Sequence, residues 1–390
     1  MKKLVTGIAM LLTGYAGFAA DYFVKSEKEF TEADKHAIAG DNIIIANGSY
    51  APWTVKFTAN GSALRPIVIK AQDAGKVIFS GEVTQTIFKI TGNYTQLQGL
   101  NFNNCILNKA NGKNGLLIDL NNTKHSRITN CTFQKNSAKV QFMPLVIISG
   151  EGEHNQVDHC SFISNQDEQD LQVQINSPKF PTYTLISDNL FSDKDKVSWK
   201  VFNGGECVQI GQDPVLKGTA MAKTTVRNNQ FIRCNGEGEV ISNKSSGNNY
   251  TNNYFEDCQG ELVMRGGHDC LIDSNQIKGG TGGIRINGSG HVITNNIISG
   301  VRTGIRLMYG MSKGKTETGF YVAATNCVIS NNHISKADVG ILVGDNKNQD
   351  WTGKFDTNKY PSRVIQDIPP ADNQFKNNDF TDTKQTIVYK

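Results

Sequence analysis

One short phrase recurs along this chain, and it constrains the fold more than any other feature. In Val226-Arg227-Asn228-Asn229-Gln230-Phe231, a pair of asparagines separates one short apolar run from the next. From Phe231, the apolar residue of the next three copies follows after 24, 22 and 21 residues. Short strands with this period and no helical pattern between them are typical of the coils of a parallel β-helix.

The phrase has copies on both sides of this stretch. Downstream they are Asn252-Asn253-Tyr254-Phe255, Ser274-Asn275-Gln276-Ile277, Asn295-Asn296-Ile297-Ile298, Asn331-Asn332-His333-Ile334 and Asn377-Asn378-Asp379-Phe380, and upstream the equivalents end at Phe102, Phe133, Phe162 and Phe191. Coils stacked about 4.8 Å apart would bury a continuous core, and asparagines at the bends would form a ladder. The 38 glycines and 40 asparagines indicate a chain that turns often and exclude a bundle of long helices. A β-sandwich or a propeller, the alternatives, fits a period of about 22 residues poorly.

The first twenty residues have the layout of a secretory signal peptide. Lys2 and Lys3 precede the apolar run Leu4–Leu12, and the small residues Gly17-Phe18-Ala19-Ala20 lead to Asp21. We therefore expect a signal peptide at 1–20, a mature chain in which 21–390 form one β-helix domain, and a secreted or periplasmic bacterial protein. No later segment is apolar over 18 residues, so we predict no membrane span after cleavage.

One helix is predicted near the start of the mature chain. The run Ser26–Ala39 is compatible with a helix, and Ser26 and Glu29 have capping-box spacing. Such a helix would cover the N-terminal end of the solenoid, whose strand edges are otherwise open.

The eight cysteines keep the register of the coils. Small buried hydrophobes suit these positions, so buried thiols are favoured over disulfides, with Cys234 and Cys258 best placed if any pair forms. No Cys-x-x-Cys spacing occurs, so the cysteine pattern does not predict a zinc site.

Four oxygen-bearing side chains predict a metal site. Glu237 and Glu239 are two residues apart and point to one face of a strand, where like charges repel unless a cation lies between them. An earlier coil adds Asn203 and Glu206. Oxygen ligands suit a hard cation such as Ca²⁺, which leaves room for water and substrate. The alternative is a solvated acidic turn without metal.

Four cations follow the same period. Lys244, Arg265, Arg285 and Arg306 are 21, 20 and 21 residues apart, so we expect them to stack in one column, where their charges repel unless a polyanion lies over them. Nucleic acid is disfavoured because no aromatic series accompanies the column and 40 Lys and Arg nearly balance 36 Asp and Glu. An exported protein of this kind is expected to meet an acidic polysaccharide.

A cation beside lysine and arginine points to chemistry on a uronic acid. The C5 proton next to the C6 carboxylate is poorly acidic, and a calcium ion with neighbouring cations would stabilise the charge formed on its removal. Lys244 would act as base if Arg265 and the metal lower its pKa. Loss of the C4 oxygen would complete β-elimination, assisted by Arg265 or by Tyr254, His268 or Tyr309 as alternative proton donors.

Four segments resemble the signature segments of polysaccharide lyase family six, the alginate lyases and chondroitinase B-like enzymes. They are Asn203-Gly204-Gly205-Glu206, Glu237-Gly238-Glu239, Asn243-Lys244-Ser245-Ser246-Gly247-Asn248 and Met264-Arg265-Gly266-Gly267-His268. The resemblance covers most of the mature chain, including Ala46-Asn47-Gly48-Ser49-Tyr50.

This resemblance implies an all-β, right-handed parallel β-helix and a lyase activity. It also implies a calcium site at Asn203, Glu237 and Glu239, a base at Lys244 and an acid role for Arg265. Together with the residue pattern, it leads us to expect a monomeric, secreted alginate lyase.

Substrate contacts are expected from Arg285, Arg306, His268 and Tyr309. The other functions considered are a dermatan or chondroitin sulfate lyase, a uronate C5-epimerase, a glycoside hydrolase using the paired glutamates, and a non-catalytic polysaccharide-binding solenoid. Tyr309-Gly310-Met311-Ser312 departs after two residues from the Tyr-Gly-x-Asp-Pro-His pattern of alginate epimerases.

Overall fold

Three long sheets of parallel strands form the fold. The computed structural model describes residues 19–315, 317, 319–356, 358 and 364–390. Residues 1–18, which hold most of the predicted signal peptide, lie outside the described residues. After the first strand, Asp21–Val24, each coil of the chain contributes a strand to sheet 1, then to sheet 2, then to sheet 3, and each strand pairs in parallel with its equivalents in adjacent coils. This is the predicted parallel β-helix.

Sheet 1 consists of Asp21–Val24, Asn42–Ile45, Ile67–Ala71, Thr95–Gln98, Arg127–Thr129, Gln156–Asp158, Leu185–Ser187, Thr225–Arg227, Asn249–Thr251, Leu271–Asp273, Val292–Thr294, Val328–Ser330 and Gln374–Lys376. Sheet 2 consists of Gly48–Tyr50, Val77–Val83, Asn101–Leu107, Thr132–Gln134, Ser161–Ile163, Leu190–Lys194, Gln230–Cys234, Tyr254–Glu256, Gln276–Lys278, Ile297–Ser299, His333–Ser335 and Asp379–Thr381, with Ser137–Ala138 also paired to Asn101–Leu107. Sheet 3 consists of Val55–Phe57, Thr86–Ile90, Leu116–Asn121, Pro144–Ser149, Gln169–Val173, Val208–Ile210, Glu239–Lys244, Glu261–Gly266, Ile284–Ile286, Thr303–Met308, Val339–Asp345 and Gln385–Tyr389. Two small antiparallel pairs, Lys109–Ala110 with Lys113–Asn114 and Gln349–Asp350 with Ile365–Gln366, and a short helix, Pro214–Lys217, lie in connections.

The repeated asparagines form the bend between sheets 1 and 2. The first asparagine of each pair, such as Asn228 with a φ of 56°, takes the left-handed conformation that asparagine tolerates. The second points inward, where its amide donates to the Oδ1 of the equivalent asparagine one coil further on at 2.9–3.0 Å. The ladder runs through Asn189, Asn229, Asn253, Asn275, Asn296, Asn332 and Asn378. It confirms the predicted register.

A stack of phenylalanines fills the core behind this bend. Six buried rings stack at centroid distances of 4.5–5.2 Å, namely Phe102, Phe133, Phe162, Phe191, Phe231 and Phe255. Each ring lies over its equivalent in the next coil, so side chains 24 to 40 residues apart become vertical neighbours.

The predicted N-terminal helix spans Glu27–His36 and ends three residues before Ala39, because Ala37 is already extended. Ser26 accepts the N–H of Glu29, and the Glu29 carboxylate accepts the N–H of Lys25. The fully buried Phe30 packs on the first coils through three aromatic contacts, with Trp53, Phe57 and Phe88. The helix therefore covers the N-terminal end of the core, as predicted.

All eight cysteines are buried and unpaired, which confirms the expectation of thiols over disulfides. Within the described residues, no helix has the length and apolar character needed to span a membrane.

The asparagine ladder predicts a large stability loss from one substitution. Asn275→Ala removes the acceptor of both the backbone N–H and the side-chain amide of Asn253. Each buried donor left unsatisfied costs about 1–3 kcal/mol, so we expect a loss of at least about 2 kcal/mol in urea unfolding. The exposed neighbour Gln276→Ala is the control and should change the midpoint little. Equal midpoints for both variants would contradict a stabilising ladder.

Candidate active site

A cavity of about 720 Å³ lies on the outer face of sheet 3. Its lining includes Asn203, Glu206, Lys244 and Arg265, together with Phe320 from a long connection. Lys244 and Arg265, which are 21 positions apart in the chain, meet at this place because their strands are neighbours in the sheet.

Three glutamates form a buried carboxylate cluster beside this cavity. One carboxylate oxygen from each of Glu206, Glu237 and Glu239 lies within 4.8 Å of the others. Glu237 accepts hydrogen bonds from the N–H groups of Gly204 and Gly205, in the preceding coil. A Cβ on Gly205 would lie 2.7 Å from the backbone of Gly236, so glycine is what lets the two bends come this close.

The cluster is electrostatically asymmetric. Burial, reinforced by Glu206 and Glu239, raises the pKa of Glu237 well above its usual value. Burial also disfavours ionisation of Glu239, but Arg285, Arg265 and Lys244 outweigh it and lower the pKa of that carboxyl to about 2. Glu239 is therefore held in its ionised form, whereas the surroundings of Glu237 favour its neutral form.

Lys244 ends its strand with its side chain between the carboxylates and the cavity. Its Nζ lies 3.8 Å from Glu206 Oε1, and its side chain is 6% exposed. The neighbouring Asn243 is fully buried and donates to the carbonyls of Ser245 and Gly266. The motif around Lys244 thus fixes the strand end that carries the amine.

The ammonium form of Lys244 is disfavoured in this position. Burial is the largest cause and the nearby Arg265 the next, and together they lower the pKa of Lys244 despite the adjacent carboxylates. A lysine with a lowered pKa has the property that a general base needs.

Arg265 lies between carboxylate and aromatic groups. Its Nη1 is 3.9 Å from Glu239 Oε1, and its guanidinium carbon lies 5.1 Å and 5.6 Å from the ring centroids of Phe320 and Tyr321. Its Nε is buried and has no hydrogen-bond partner among the described residues. These contacts hold a permanent cation against the cavity.

The predicted single column of four cations is wrong in its geometry. Arg285 and Arg306 are vertical neighbours, but Arg285 lies over Val263 and not over Arg265. A β-bulge after Asn243 also pairs Lys244 with Gly266. Lys244 and Arg265 therefore lie two residues along the strands from the column that carries the other two arginines.

The charges of Arg285 and Arg306 are also neutralised by carboxylates of the protein. A column of cations that binds a polyanion would instead leave its charges unneutralised. Arg285 hydrogen-bonds Glu239, and Arg306 bonds Glu261 and, at 2.7 Å, Asp345. Both arginines line a second cavity of about 610 Å³ further along sheet 3. Their predicted role in substrate binding stays a prediction.

The three alternative proton donors lie away from the central cavity. His268 pairs with Asp269 at 2.9 Å, and the buried Tyr309 follows the strand Thr303–Met308. Tyr254 is on sheet 2. None of the three belongs to the described residues that line the cavity of Lys244.

The sequence analysis missed an amide network and an aromatic contact. Gln169 and Gln209 donate to the two oxygens of Glu206 at 2.8 and 2.7 Å, and Gln172 donates to Gln209. Loops of unequal length separate these glutamines, so their spacing carries no visible period. The long connection that brings Phe320 to Arg265 likewise has no repeat to reveal it.

The carboxylate cluster suits a calcium ion. Its donors are oxygens only, it is buried, and the mutual repulsion of its carboxylates would be relieved by a divalent cation. Glu206, Glu237 and Glu239 would hold the ion, and Asn203, which lines the adjoining cavity, could add an amide oxygen.

Comparison with known proteins gives one family and several solved structures. The family model described as chondroitinase B matches residues 24–388. The structure of a mannuronic acid specific polysaccharide family 6 lyase enzyme from human gut microbiota has a TM-score of 0.75 and 25% identity, covering 93% of this chain and 82% of that one. None of the curated proteins compared matches the chain.

Two further structures have the same fold. The PL6 family alginate lyase AlyGC has a TM-score of 0.76 and 26% identity over 90% of this chain, which spans 47% of the AlyGC chain. A PL6 family polysaccharide lyase from Pseudopedobacter saltans has a TM-score of 0.70 and 21% identity, covering 93% of this chain and 92% of that one.

The ion pair of Arg285 with Glu239 gives a prediction on stability. Arg285→Met leaves the Glu239 carboxylate buried without this partner, and we expect the free energy of unfolding at pH 7 to fall by about 3–5 kcal/mol. The low pKa of Glu239 contributes stability that is present above the unfolded-state pKa and is lost as pH falls towards about 2. The difference between variant and wild type should therefore be smaller at pH 3.

Thermal unfolding of variant and wild type at pH 7 and at pH 3, in the presence of a chelator, measures the loss in the free energy of unfolding at each pH. The matched control is Arg233→Met, which breaks an exposed pair with Asp193 and should cost less than about 1 kcal/mol. A loss no larger than that of the control would refute the importance of the buried pair.

Proposed function

The chain belongs to the chondroitinase B family and is a polysaccharide lyase of family six that acts on acidic polysaccharide. From this premise we propose that it cleaves alginate by β-elimination. The observation that carries the mechanism is the meeting of Lys244, Arg265 and the carboxylate cluster at one cavity. A base, a fixed cation and a candidate metal site are the groups that proton abstraction next to a carboxylate requires.

Lys244 is proposed as the base that removes the C5 proton. Lys244 lines the cavity, and its lowered pKa, caused by burial and by Arg265, favours the neutral amine. The proton moves from C5 to Nζ, and the electron pair of the C–H bond is delocalised onto the C6 carboxylate. As the bond between C4 and the glycosidic oxygen breaks, that pair forms the double bond between C4 and C5, and the oxygen leaves with the electrons of the broken bond and takes up a proton.

Arg265 is proposed to stabilise the negative charge that develops during this step. Its guanidinium is always charged and is held by Glu239, Phe320 and Tyr321, so it needs no reorganisation when charge appears. The resemblance assigns it the acid role at the leaving oxygen. Its poor acidity makes charge stabilisation the larger contribution, and water can supply the proton.

Calcium is proposed as the cofactor held by Asn203, Glu206, Glu237 and Glu239. When bound, it would neutralise the C6 carboxylate of the sugar and so make the C5 proton more acidic. The chain itself fixes the orientation of two of these carboxylates. Arg285 donates to Glu239, and the amides of Gln169 and Gln209 donate to Glu206.

Alginate is preferred over dermatan sulfate as substrate for two reasons. The related structures named above include an alginate lyase and a mannuronic acid specific enzyme. Among the described residues lining the central cavity, Lys244 and Arg265 are the cations, whereas sulfate recognition should require further cations beside each sugar. We further propose, from the layout of the first twenty residues, that the enzyme is exported.

Substitution of the base tests this function. Lys244→Met should lower turnover of alginate by about 10²–10⁴-fold, as expected for loss of a general base, and should leave binding of the polymer intact. Turnover is followed by the ultraviolet absorbance of the new C4–C5 double bond. The control Lys278→Met changes an exposed lysine on sheet 2 and should retain wild-type turnover.

Other outcomes for the wild-type protein would identify the competing functions. New reducing ends without the double bond indicate a hydrolase, and a changed uronate composition without cleavage indicates an epimerase. Cleavage of dermatan sulfate alone would correct the substrate. Binding without any turnover would leave only a polysaccharide-binding solenoid.

The metal proposal has a readout that is independent of activity. We expect calcium to bind the wild-type protein in calorimetry and to raise its unfolding temperature. Glu237→Gln should abolish both effects, whereas Glu256→Gln, which changes a carboxylate on sheet 2, should preserve them. A chelator without effect on the wild-type unfolding temperature would contradict a calcium site.

A further inference from the structure

A column of outward side chains runs the length of sheet 3, and it begins with two lysines. Lys56 and Lys89 are direct vertical neighbours on the first two strands. The strand pairing continues the outer column through Asp119, Ile147, Gln172, Gln209, Ser242, Val263, Arg285 and Arg306. The lysine pair therefore lies on the same face as the central cavity, towards the N-terminal end.

These lysines line a cavity that adjoins the central one. It has a volume of about 480 Å³, and Lys113 from a neighbouring hairpin lies on its wall. Asn114 and Leu116 line both this cavity and the central cavity. The two cavities are therefore successive parts of one groove, and we call the part around Lys56, Lys89 and Lys113 the lysine end of the groove.

The lysine end carries positive charge that the protein offsets only in part, through Asp119 opposite Lys89 on the adjacent strand. In the part of the chain that the structure describes, no ion pair involves Lys56, Lys89 or Lys113. Arg285 and Arg306, at the other end of the outer column, are both bonded to carboxylates. Like charges opposite each other on adjacent strands destabilise a sheet unless an anion lies over them.

Protection of the sheet edge does not explain both lysines. Charged residues on an edge strand prevent pairing with other chains, and this accounts for Lys56 on the first strand of sheet 3. Lys89 lies on the second strand, which is paired on both sides, and it needs no such protection.

The floor between the lysine end and Lys244 offers a polysaccharide few charges. Ile147 and the amides Gln172 and Gln209 are neutral. The carboxyl of Asp119 is buried and accepts a hydrogen bond from Ser149 at 2.6 Å, and Lys89 lies one strand away. A polyanion lying along this outer column therefore crosses mainly uncharged side chains before it reaches the lysines. The carboxylates of Glu206 and Asp213 line other parts of the central cavity.

We propose that the lysine end of the groove is a distal binding site for the carboxylates of a long polyuronate chain whose reacting sugar lies at Lys244. Five strand steps, through Leu116–Asn121, Pro144–Ser149, Gln169–Val173 and Val208–Ile210, separate the strand of Lys89 from that of Lys244. At about 4.8 Å per step, the distance is about 24 Å. One sugar of an extended chain advances by a distance similar to one coil, so the site meets the polymer about five sugars from the bond that breaks.

The inference rests on the proposed function and gives it a preference for long substrate chains. Alginate that extends over the lysine end gains contacts there, and a tetramer bound at Lys244 is too short to reach it. The contacts are electrostatic, so the advantage of the polymer should weaken with salt.

The double variant Lys56→Gln/Lys89→Gln tests the site. At low salt we expect kcat/KM for alginate polymer to fall about three- to thirtyfold, and kcat/KM for the tetramer to change by less than about twofold. The matched control, Lys70→Gln/Lys135→Gln, removes the same charge from sheet 1 and from the bend after Thr132–Gln134 in sheet 2. It should keep wild-type values on both substrates.

Equal loss on polymer and tetramer, or an unchanged polymer value, overturns the distal site while leaving the lyase function intact. Direct binding of polymer in the Lys244→Met background separates the two proposals. Polymer affinity is compared between Lys244→Met and a triple variant that also carries Lys56→Gln and Lys89→Gln. If the wild-type protein does not cleave alginate but the polymer binds Lys244→Met more tightly than the triple variant, the proposed function is refuted and the distal site is supported. If affinity for the polymer is the same in both, the distal site is refuted.

Discussion

Hydrogen bonding between equivalent residues of successive coils is the constraint on which this structure depends. The backbone of each coil pairs in parallel with the next, and the buried asparagine amides repeat the same bond from Asn189 to Asn378. An amide that donates to one coil and accepts from another tolerates no slip of register, since a slip would leave a buried donor unpaired. Positions far apart in sequence therefore become neighbours at one fixed height.

Charge burial is the second constraint, and it is concentrated beneath the site. Lys194 is buried with Glu168 and Asp170, and a Cβ on Gly236 would lie 3.1 Å from the Lys194 side chain. Gly236 immediately precedes Glu237. A buried ion cluster is costly to break once it has formed, so the bend that presents Glu237 rests on groups that cannot easily rearrange. This is a physical reason for three carboxylates to remain close together.

The fold could be predicted well from the sequence because each coil needs the same residue types at its bend and in its core. Short bends need asparagine, and a stacked core needs one large apolar residue per coil, so both leave a period that can be read directly, as at Asn229 and Phe231. The helix after Ser26 was predicted for a similar reason, since its cap is local. By contrast, Phe320 reaches Arg265 from a connection without a repeat, and the glutamines around Glu206 are separated by loops of unequal length.

The misplaced cation column shows where a period alone is insufficient. Equal spacing stacks Lys244 on Arg265, but the bulge after Asn243 inserts a residue and pairs Lys244 with Gly266. Direct stacking would put two cations about 4.8 Å apart with no carboxylate between them. In the shifted arrangement each cation lies within 4 Å of a different glutamate, Lys244 near Glu206 and Arg265 near Glu239. The irregularity that the spacing could not reveal is thus what allows a lysine with a lowered pKa and a permanently charged arginine to share one cavity.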